Sequence, residues 1–199
     1  MKVVKAEEID IVEVLKILEN GGVIIYPTET LYGIGVKYDN KKALKRVFDI
    51  KKRPEEKSFP LIVNLQHLEL IVDFIPSLAK KFMEKYWPGP LTLLLPAKKN
   101  LSKRITKDNK VAVRMPGESF ALKLIQASKF PITATSANIS GYPASDCIED
   151  AIKYFKDSDI DLLIDGGKLP GIPSTIVDVT VEPPKIIRKG AIEIDLSLY

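Results

Sequence analysis

The sequence contains one cysteine, Cys147, and one histidine, His67. A single cysteine can form no internal disulfide, which is typical of proteins from reducing compartments. The same shortage leaves a zinc site of the cysteine and histidine kind without ligands. A hydrolase of the Ser-His-Asp or Cys-His kind would have to use His67, although a lone histidine more often lies at the surface or in the core.

Other common signatures are also absent. No apolar run approaches the roughly 20 residues of a transmembrane helix, and the first ten residues lack the apolar segment of a signal peptide. Neither GxxxxGK[ST] nor GxGxxG occurs, so the standard glycine-rich nucleotide cradles are missing. We expect a soluble, cytoplasmic protein with no membrane partner, folded as a single domain over residues 1–199.

Arginine is scarce although basic residues are not. The chain has 30 basic and 26 acidic residues and a formal net charge of +4, a mild excess that suits an anionic ligand without requiring nucleic acid. An arginine retained in a lysine-rich chain is a candidate for contacts that need its planar fork, as on a carboxylate or a phosphate. The five arginines are Arg46, Arg53, Arg104, Arg114 and Arg188.

The hydrophobic pattern predicts an α/β protein. Helical spacing indicates helices over residues 6–19, 40–48, 77–86, 119–127 and 145–155. Apolar, β-prone runs indicate strands at 23–26, 61–63, 91–95, 111–114, 132–135, 162–164, 175–179 and 185–188. Helices and strands interleave, but strands follow one another directly near the C-terminus. We therefore expect one domain with a large mixed β-sheet flanked by helices.

Polar clusters follow several of these strands, where α/β proteins commonly bind ligands. They lie at residues 27–35, 51–60, 133–141 and 166–175, and Arg114 ends another strand. Each also has a structural explanation that involves no ligand. The basic turn at 51–53 could stabilise the helix dipole, Arg114 could form a structural ion pair, and the other clusters could be ordinary turns. Cations and hydroxyls without an obvious general base suit reactions in which the ligand brings its own nucleophile, such as nucleotidyl transfer.

Five segments in order carry a resemblance to a known family. They read YPTETLYGIG, KKRP with SFPLIV, WPGPLTLLL, VAVRMP, and TSANISG with PSTIVD. Together they resemble the YrdC-like threonylcarbamoyl-AMP synthases over about residues 21–190. The paired KxR and SxN signatures of that family correspond to residues 51–53 and 136–138. The sequence stops nine residues after Gly190, so the resemblance is to the short form without the extra C-terminal domain.

The resemblance implies a fold and an activity. The implied fold is a twisted α/β domain with a concave basic groove. The implied reaction converts L-threonine, bicarbonate and ATP to threonylcarbamoyl-AMP and pyrophosphate, with Mg²⁺ accompanying the ATP and no tightly bound prosthetic group. A downstream transfer system then places the threonylcarbamoyl group on adenosine 37 of tRNA.

The resemblance also implies roles for individual residues, and no protein metal ligands. Arg114 is expected to hold the threonine carboxylate. The threonine pocket as a whole would comprise Thr30, Asn64, Arg114, Ala134 and Ser174. The ATP contacts would be Arg53, Phe59, Lys110, Ser136, Ala144 and Arg188. The paired signatures place Lys51, Arg53, Ser136 and Asn138 in the catalytic set.

Two other functions remain open on the sequence alone. The basic stretch from Lys98 to Lys110 is compatible with a module that binds tRNA or double-stranded RNA without catalysis. A carbamoyl-transfer domain like that of hydrogenase maturation proteins is a weaker alternative, because the accessory domains of those proteins are absent from this sequence. Turnover of ATP that depends on threonine separates the synthase from both.

Overall fold

The computed structural model describes residues 2–54 and 56–196. Residue 1, residue 55 and residues 197–199, which the predicted domain 1–199 includes, lie outside the described residues. The strands are β1 (Lys2–Lys5), β2 (Ile24–Pro27), β3 (Tyr32–Gly35), β4 (Leu61–Ile62), β5 (Leu91–Pro96), β6 (Thr106–Lys107), β7 (Lys110–Arg114), β8 (Ile132–Thr133), β9 (Thr135–Ser136), β10 (Leu162–Asp165), β11 (Thr175–Asp178) and β12 (Lys185–Arg188). The helices are α1 (Ile11–Glu19), α2 (Lys41–Lys51), α3 (Leu68–Ile71), α4 (Ser77–Tyr86), α5 (Phe120–Ala127) and α6 (Ile148–Phe155), with a 3₁₀ turn at Leu65–His67.

The strands form two mixed sheets rather than the one large sheet that we predicted. One sheet has the order β1-β10-β2-β3-β9, and the other has the order β12-β11-β5-β7-β4-β8 with β6 beside β7. Both contain parallel and antiparallel pairs, as in the parallel pair β1–β10 and the antiparallel pair β5–β7. The α/β class and the mixed pairing are thus confirmed, while the number of sheets was wrong.

The chain changes sheets at Ala134. Residues 132–135 were predicted as one strand, but Ile132 and Thr133 pair with β4 while Thr135 and Ser136 pair with β3 of the other sheet. Between them, the backbone N–H of Ala134 donates to the carbonyl oxygen of Pro60 (2.8 Å). Four residues therefore tie both sheets together at one point, which the apolar pattern of the segment does not reveal.

Helix boundaries follow the capping residues more closely than the apolar pattern. α1 begins after Asp10, whose carboxylate accepts from the N–H of Val12 (2.9 Å), and not at residue 6 as predicted. α6 begins at Ile148 rather than at Ser145, because the Ser145 hydroxyl donates to the carbonyl oxygen of Ala137 instead of capping the helix. Asn40 caps α2, and its side-chain oxygen accepts from the N–H of Ala43 (3.0 Å).

The core fills both sides of the first sheet. β2 is buried along its whole length, and its side chains alternate between two apolar clusters, with Ile25 in one and Ile24 and Tyr26 in the other. A strand covered on both faces reads as a continuous apolar run, which confirms the prediction of a buried strand at 23–26. Among the described residues, no helix is long and apolar enough to cross a membrane.

Candidate functional site

A cavity of about 270 Å³ opens where the two sheets approach each other. Both sheets and the turn between β2 and β3 contribute to it. Its lining contains three arginines and several hydroxyl groups, and no carboxylate belongs to it among the described residues. The lining residues are Thr28, Thr30, Leu31, Tyr32, Gly33, Arg53, Ser58, Pro60, Leu61, Thr92, Ala112, Arg114, Ala134, Thr135, Ser136, Pro173, Ser174, Ile176 and Arg188.

The turn that follows β2 presents hydroxyl groups to the cavity in a fixed arrangement. The hydroxyl oxygen of Thr28 accepts from the backbone N–H groups of Thr30 (3.1 Å) and Leu31 (3.2 Å). It also lies 2.9 Å from the hydroxyl oxygen of Thr30. Both threonines are buried. Residues 27–35 were predicted as one polar cluster after a strand, but Tyr32–Gly35 forms β3 and only the turn before it is irregular.

Arg114 ends β7 and is buried against Glu29. Its Nη1 donates to Oε1 of Glu29 (2.6 Å) and to the Thr30 hydroxyl (3.2 Å). The ion pair that the sequence analysis left open is thus present, and Arg114 also lines the cavity. A buried guanidinium that keeps a ligand-facing side is suited to a carboxylate or a phosphate.

Arg188 ends β12 and contacts Ser174, which directly precedes β11, the antiparallel partner of β12. Nε and Nη2 of Arg188 both donate to the Ser174 carbonyl oxygen (3.0 and 2.8 Å), and Nη2 also reaches the Ser174 hydroxyl (3.1 Å). Burial, and then the charge of Arg114, lower the pKa of Arg188. Arg114 and Arg188 both line the cavity, and a negatively charged group between them would offset their mutual repulsion.

The KxR and SxN signatures lie side by side. The ammonium group of Lys51 donates to the carbonyl oxygens of Ser136 and Asn138, the latter at 2.7 Å. The Ser136 hydroxyl donates to Oδ1 of Asn138 (2.6 Å). Lys51 is only 1% exposed, and burial, with Arg53 nearby, lowers its pKa to about 7. Ser136 lines the cavity, whereas Lys51 and Asn138 lie behind it and hold its turn in place.

Arg53 extends from the end of α2 across the segment that leads to β4. Its Nε donates to the Lys57 carbonyl oxygen (2.8 Å) and its Nη2 to that of Ser58 (2.9 Å). The guanidinium also lies 5.1 Å from the centre of the Phe59 ring. These contacts place the Arg53 side chain in the cavity wall, so the basic turn does more than stabilise the end of a helix.

Four predicted ligand contacts are not brought to the cavity. Asn64 caps the 3₁₀ turn, where its Oδ1 accepts from the N–H of His67 (3.1 Å) and its Nδ2 donates to the Ile125 carbonyl oxygen (3.1 Å). Phe59 is fully buried in the core. Lys110 pairs with Asp178 (2.6 Å), and Ala144 is half-buried outside the lining.

His67 has a structural role. Its Nε2 lies 3.0 Å from the Ser128 carbonyl oxygen, and its Nδ1 accepts from the N–H of Asn64 (3.3 Å). Burial lowers its pKa, which favours the neutral ring. Both ring nitrogens are therefore engaged by the backbone, and of the two locations that the sequence left open, surface or core, His67 occupies the buried one.

Sequence reasoning missed Thr92. This residue lies in β5, which we predicted as wholly apolar, and its hydroxyl oxygen is 2.8 Å from that of Ser174. It is 3% exposed and lines the cavity. A single threonine within an otherwise apolar strand was the available signal, because a buried hydroxyl needs a partner.

Comparison with known proteins gives consistent results. The family model Sua5_yciO_yrdC, described as "Telomere recombination", matches residues 16–190. A protein of Pyrococcus abyssi named threonylcarbamoyl-AMP synthase is 39% identical over 183 residues, which are 89% of this chain and 53% of that protein. A protein of Methanocaldococcus jannaschii named putative threonylcarbamoyl-AMP synthase is 34% identical over 201 residues, covering 97% of this chain and 95% of that protein.

A solved structure agrees with the fold. The crystal structure of P. abyssi Sua5 complexed with L-threonine superposes with a TM-score of 0.89 at 36% identity, over 96% of this chain and 58% of that one. The chain thus spans about half the length of the P. abyssi protein. The family model covers most of the sequence and these similarities extend over nearly all of it, so the chain belongs to the Sua5/YciO/YrdC family.

Proposed function

We propose that this protein is an L-threonylcarbamoyladenylate synthase, a nucleotidyltransferase. The reaction converts L-threonine, bicarbonate and ATP to threonylcarbamoyl-AMP, pyrophosphate and water. The names of the P. abyssi and M. jannaschii relatives and the L-threonine complex of the P. abyssi structure support the proposal. Its product would serve the threonylcarbamoyl modification of tRNA adenosine 37 in the cytoplasm, through a downstream transfer system.

The observation that carries the proposal is the lining of the cavity. Arg53, Arg114 and Arg188 converge on a space that contains no carboxylate among the described lining residues. Such a space suits ligands with several negative charges, and both threonine and ATP carry carboxylate or phosphate groups. The hydroxyls of Thr30 and Ser174 add neutral hydrogen-bonding groups beside the arginines.

The chemistry follows from what the ligands bring. The threonine amine attacks carbon dioxide derived from bicarbonate and loses a proton, which gives a carbamate. A carbamate oxygen then attacks the α-phosphorus of ATP, and the bond to the β-phosphate oxygen breaks as pyrophosphate leaves. The protein supplies positioning and charge: Arg114 for the threonine carboxylate, and Arg53 and Arg188 for the phosphates.

Mg²⁺ would enter with the nucleotide as part of the substrate. Carboxylate, carbonyl and water oxygens are its usual ligands, and the lining offers no carboxylate among the described residues. We therefore assign its binding to the phosphates. Within this arrangement Arg53 and Ser136 are the members of the paired signatures that would contact ATP, while Lys51 and Asn138 keep the Ser136 turn in place.

Pyrophosphate release from ATP, with and without L-threonine and bicarbonate, tests the proposal. We expect release to require both. Arg114→Lys, which keeps the charge but loses the fork, should raise KM for L-threonine about 10- to 100-fold, the effect of losing a bidentate charged contact. Arg46→Ala is the control, because Arg46 pairs with Asp159 and Asp161 outside the cavity. A rate that is unchanged without threonine would exclude the synthase.

The RNA-binding alternative makes a different prediction. A module that only binds tRNA would be retained on RNA with strong salt dependence and would release no threonine-dependent pyrophosphate. The same preparation can be assayed both ways, so retention without turnover would favour that alternative.

A further inference from the structure

Glu29 is a buried carboxylate that neither the sequence analysis nor the proposed reaction uses. Its Oε1 accepts from Nη1 of Arg114 at 2.6 Å, and the two side chains are 15% and 8% exposed. Its Oε2 is buried and has no hydrogen-bond partner among the described residues. An unsatisfied buried carboxylate oxygen costs free energy, so stability alone does not account for a glutamate at this position.

Glu29 is held in place from two sides. It belongs to the 28–31 turn, in which the Thr28 hydroxyl accepts from the N–H groups of Thr30 and Leu31. On the other side lies Gly117, just beyond β7, where an added Cβ would come within 3.2 Å of Cγ of Glu29. The carboxylate is therefore packed between the turn and the segment that follows Arg114.

This arrangement determines which side of the Arg114 guanidinium stays available. Nη1 is occupied by Glu29 and by the Thr30 hydroxyl (3.2 Å). The hydrogen bonds of the Arg114 side chain to described residues come from Nη1, and no described residue accepts one from its Nε or Nη2. These two groups form the side-on fork of an arginine, which binds a carboxylate through two parallel hydrogen bonds.

We propose that Glu29 is a positioning residue for recognition of the amino-acid carboxylate: by holding Nη1 of Arg114, it presents the Nε and Nη2 fork to the ligand. This inference rests on the proposed function. Glu29 also offsets the charge of Arg114, which lies close to Arg188 in the same cavity. Without Glu29 the guanidinium can rotate and the fork is no longer preorganised for the ligand.

The test compares two ligands that differ only at the carboxylate. L-threonine and L-threonine amide are titrated calorimetrically into the wild-type chain and into Glu29→Ala and Glu29→Gln. We expect Glu29→Ala to weaken L-threonine about 10- to 100-fold, the effect of disturbing a charged hydrogen bond, and to change binding of the amide by less than about threefold. The amide oxygen of Glu29→Gln can still accept from Nη1 of Arg114. The affinity of this variant for L-threonine should therefore lie between those of the wild type and Glu29→Ala.

Glu13→Gln is the matched control, because it removes a carboxylate paired with Lys2 at the exposed surface. Its affinity for both ligands should equal that of the wild type. In the pyrophosphate assay, Glu29→Gln should raise KM for L-threonine and leave KM for ATP unchanged. Substitution of a residue that only stabilises the fold would not change KM for L-threonine while leaving KM for ATP unaffected.

Each other outcome has a definite meaning. Equal weakening of both ligands in Glu29→Ala would overturn the inference, since the role would then be structural. Tighter L-threonine binding would also overturn it, because Glu29 would then compete with the ligand for Arg114. A wild-type chain that binds L-threonine without releasing pyrophosphate contradicts the proposed function only, while the titration still decides the role of Glu29. A wild-type chain that binds no L-threonine overturns both.

Discussion

Lys51 is the residue at which burial and charge conflict most strongly. Its ammonium group is almost inaccessible and is surrounded by backbone carbonyl oxygens and the Asn138 side chain. No carboxylate pairs with it among the described residues, and removal from water disfavours its charged form. The sequence identified Lys51 as part of a signature, and in the structure its ammonium group contacts the Ser136 turn and does not belong to the cavity lining.

This environment predicts a pH dependence of stability. The pKa of Lys51 is lowered from 10.5 to about 7, so between these values the unfolded chain binds a proton that the folded chain does not. The contribution of Lys51 to the free energy of unfolding should therefore rise from about pH 7 to about pH 10.5. The difference in unfolding free energy between wild type and Lys51→Met, measured in urea across this range, should increase with pH. The ¹³Cε shift of Lys51 in the wild-type chain should titrate near pH 7, and titration near pH 10 would contradict this.

At the scale of elements, the end of α2 positions the KxR signature. The helix follows the Asn40 cap and ends at Lys51, and its C-cap residue, Lys52, adopts a left-handed conformation with φ of 49°. That turn directs Lys51 and Arg53 to different environments: Lys51 lies behind the Ser136 turn and Arg53 in the cavity wall. The middle residue of the signature, Lys52, thus matters for its backbone conformation, because its side chain is exposed.

Lys52→Gly should stabilise the protein. A left-handed conformation costs a non-glycine residue about 1 kcal/mol or more, whereas glycine adopts it without strain. Glycine also gives the unfolded chain more conformational entropy, which offsets part of this gain. We expect a gain of about 0.5–1 kcal/mol in unfolding free energy, measured by urea denaturation. Lys45→Gly, at an exposed position within α2, should instead lose about 1 kcal/mol. A loss at position 52 like that at position 45 would show that the residue is not left-handed in solution.

At the scale of the whole molecule, the site depends on how the two sheets are joined. The Tyr26 hydroxyl in the first sheet donates to the Thr133 carbonyl oxygen in the second (2.8 Å). The Thr133 hydroxyl in turn accepts from the N–H of Val36 (3.0 Å) and donates to the Ile34 carbonyl oxygen (3.1 Å). These buried bonds lie beside Ala134, where the chain passes between sheets and lines the cavity.

Tyr26→Phe tests this junction. The substitution keeps the ring and leaves the buried Thr133 carbonyl without the hydroxyl donor, which should cost about 1–2 kcal/mol of stability. Tyr142→Phe, at an exposed tyrosine, should change stability by less than about 0.5 kcal/mol. Thermal and urea unfolding of both variants measure the difference. Equal stability of the two variants would mean that the hydrogen bond contributes nothing to joining the sheets.

Much of the fold was accessible from local sequence. Periodicity identified five of the helices and most of the buried strands, because burial of one helix face or of a whole strand leaves a pattern in neighbouring residues. The short strands β1, β3 and β6 were not predicted, since charged, polar and glycine residues obscure their pattern, and β9 was merged with β8 in the predicted strand 132–135. Among site residues, the motifs found Arg53, Arg114, Ser136, Ser174 and Arg188, all of which line the cavity. Thr92 and Glu29 were missed because their partners are distant in sequence.

The sequence by itself determined five of the helices, most of the buried strands, the family resemblance and three arginines that line the cavity. Each of these follows from side-chain chemistry or from patterns over a few neighbouring residues. Only the tertiary structure decided that there are two sheets, that Asn64 caps a 3₁₀ turn, and that Glu29 holds Arg114. Those outcomes depend on contacts between residues far apart in the chain, such as the 85 positions between Glu29 and Arg114, and no local pattern specifies which distant groups will meet.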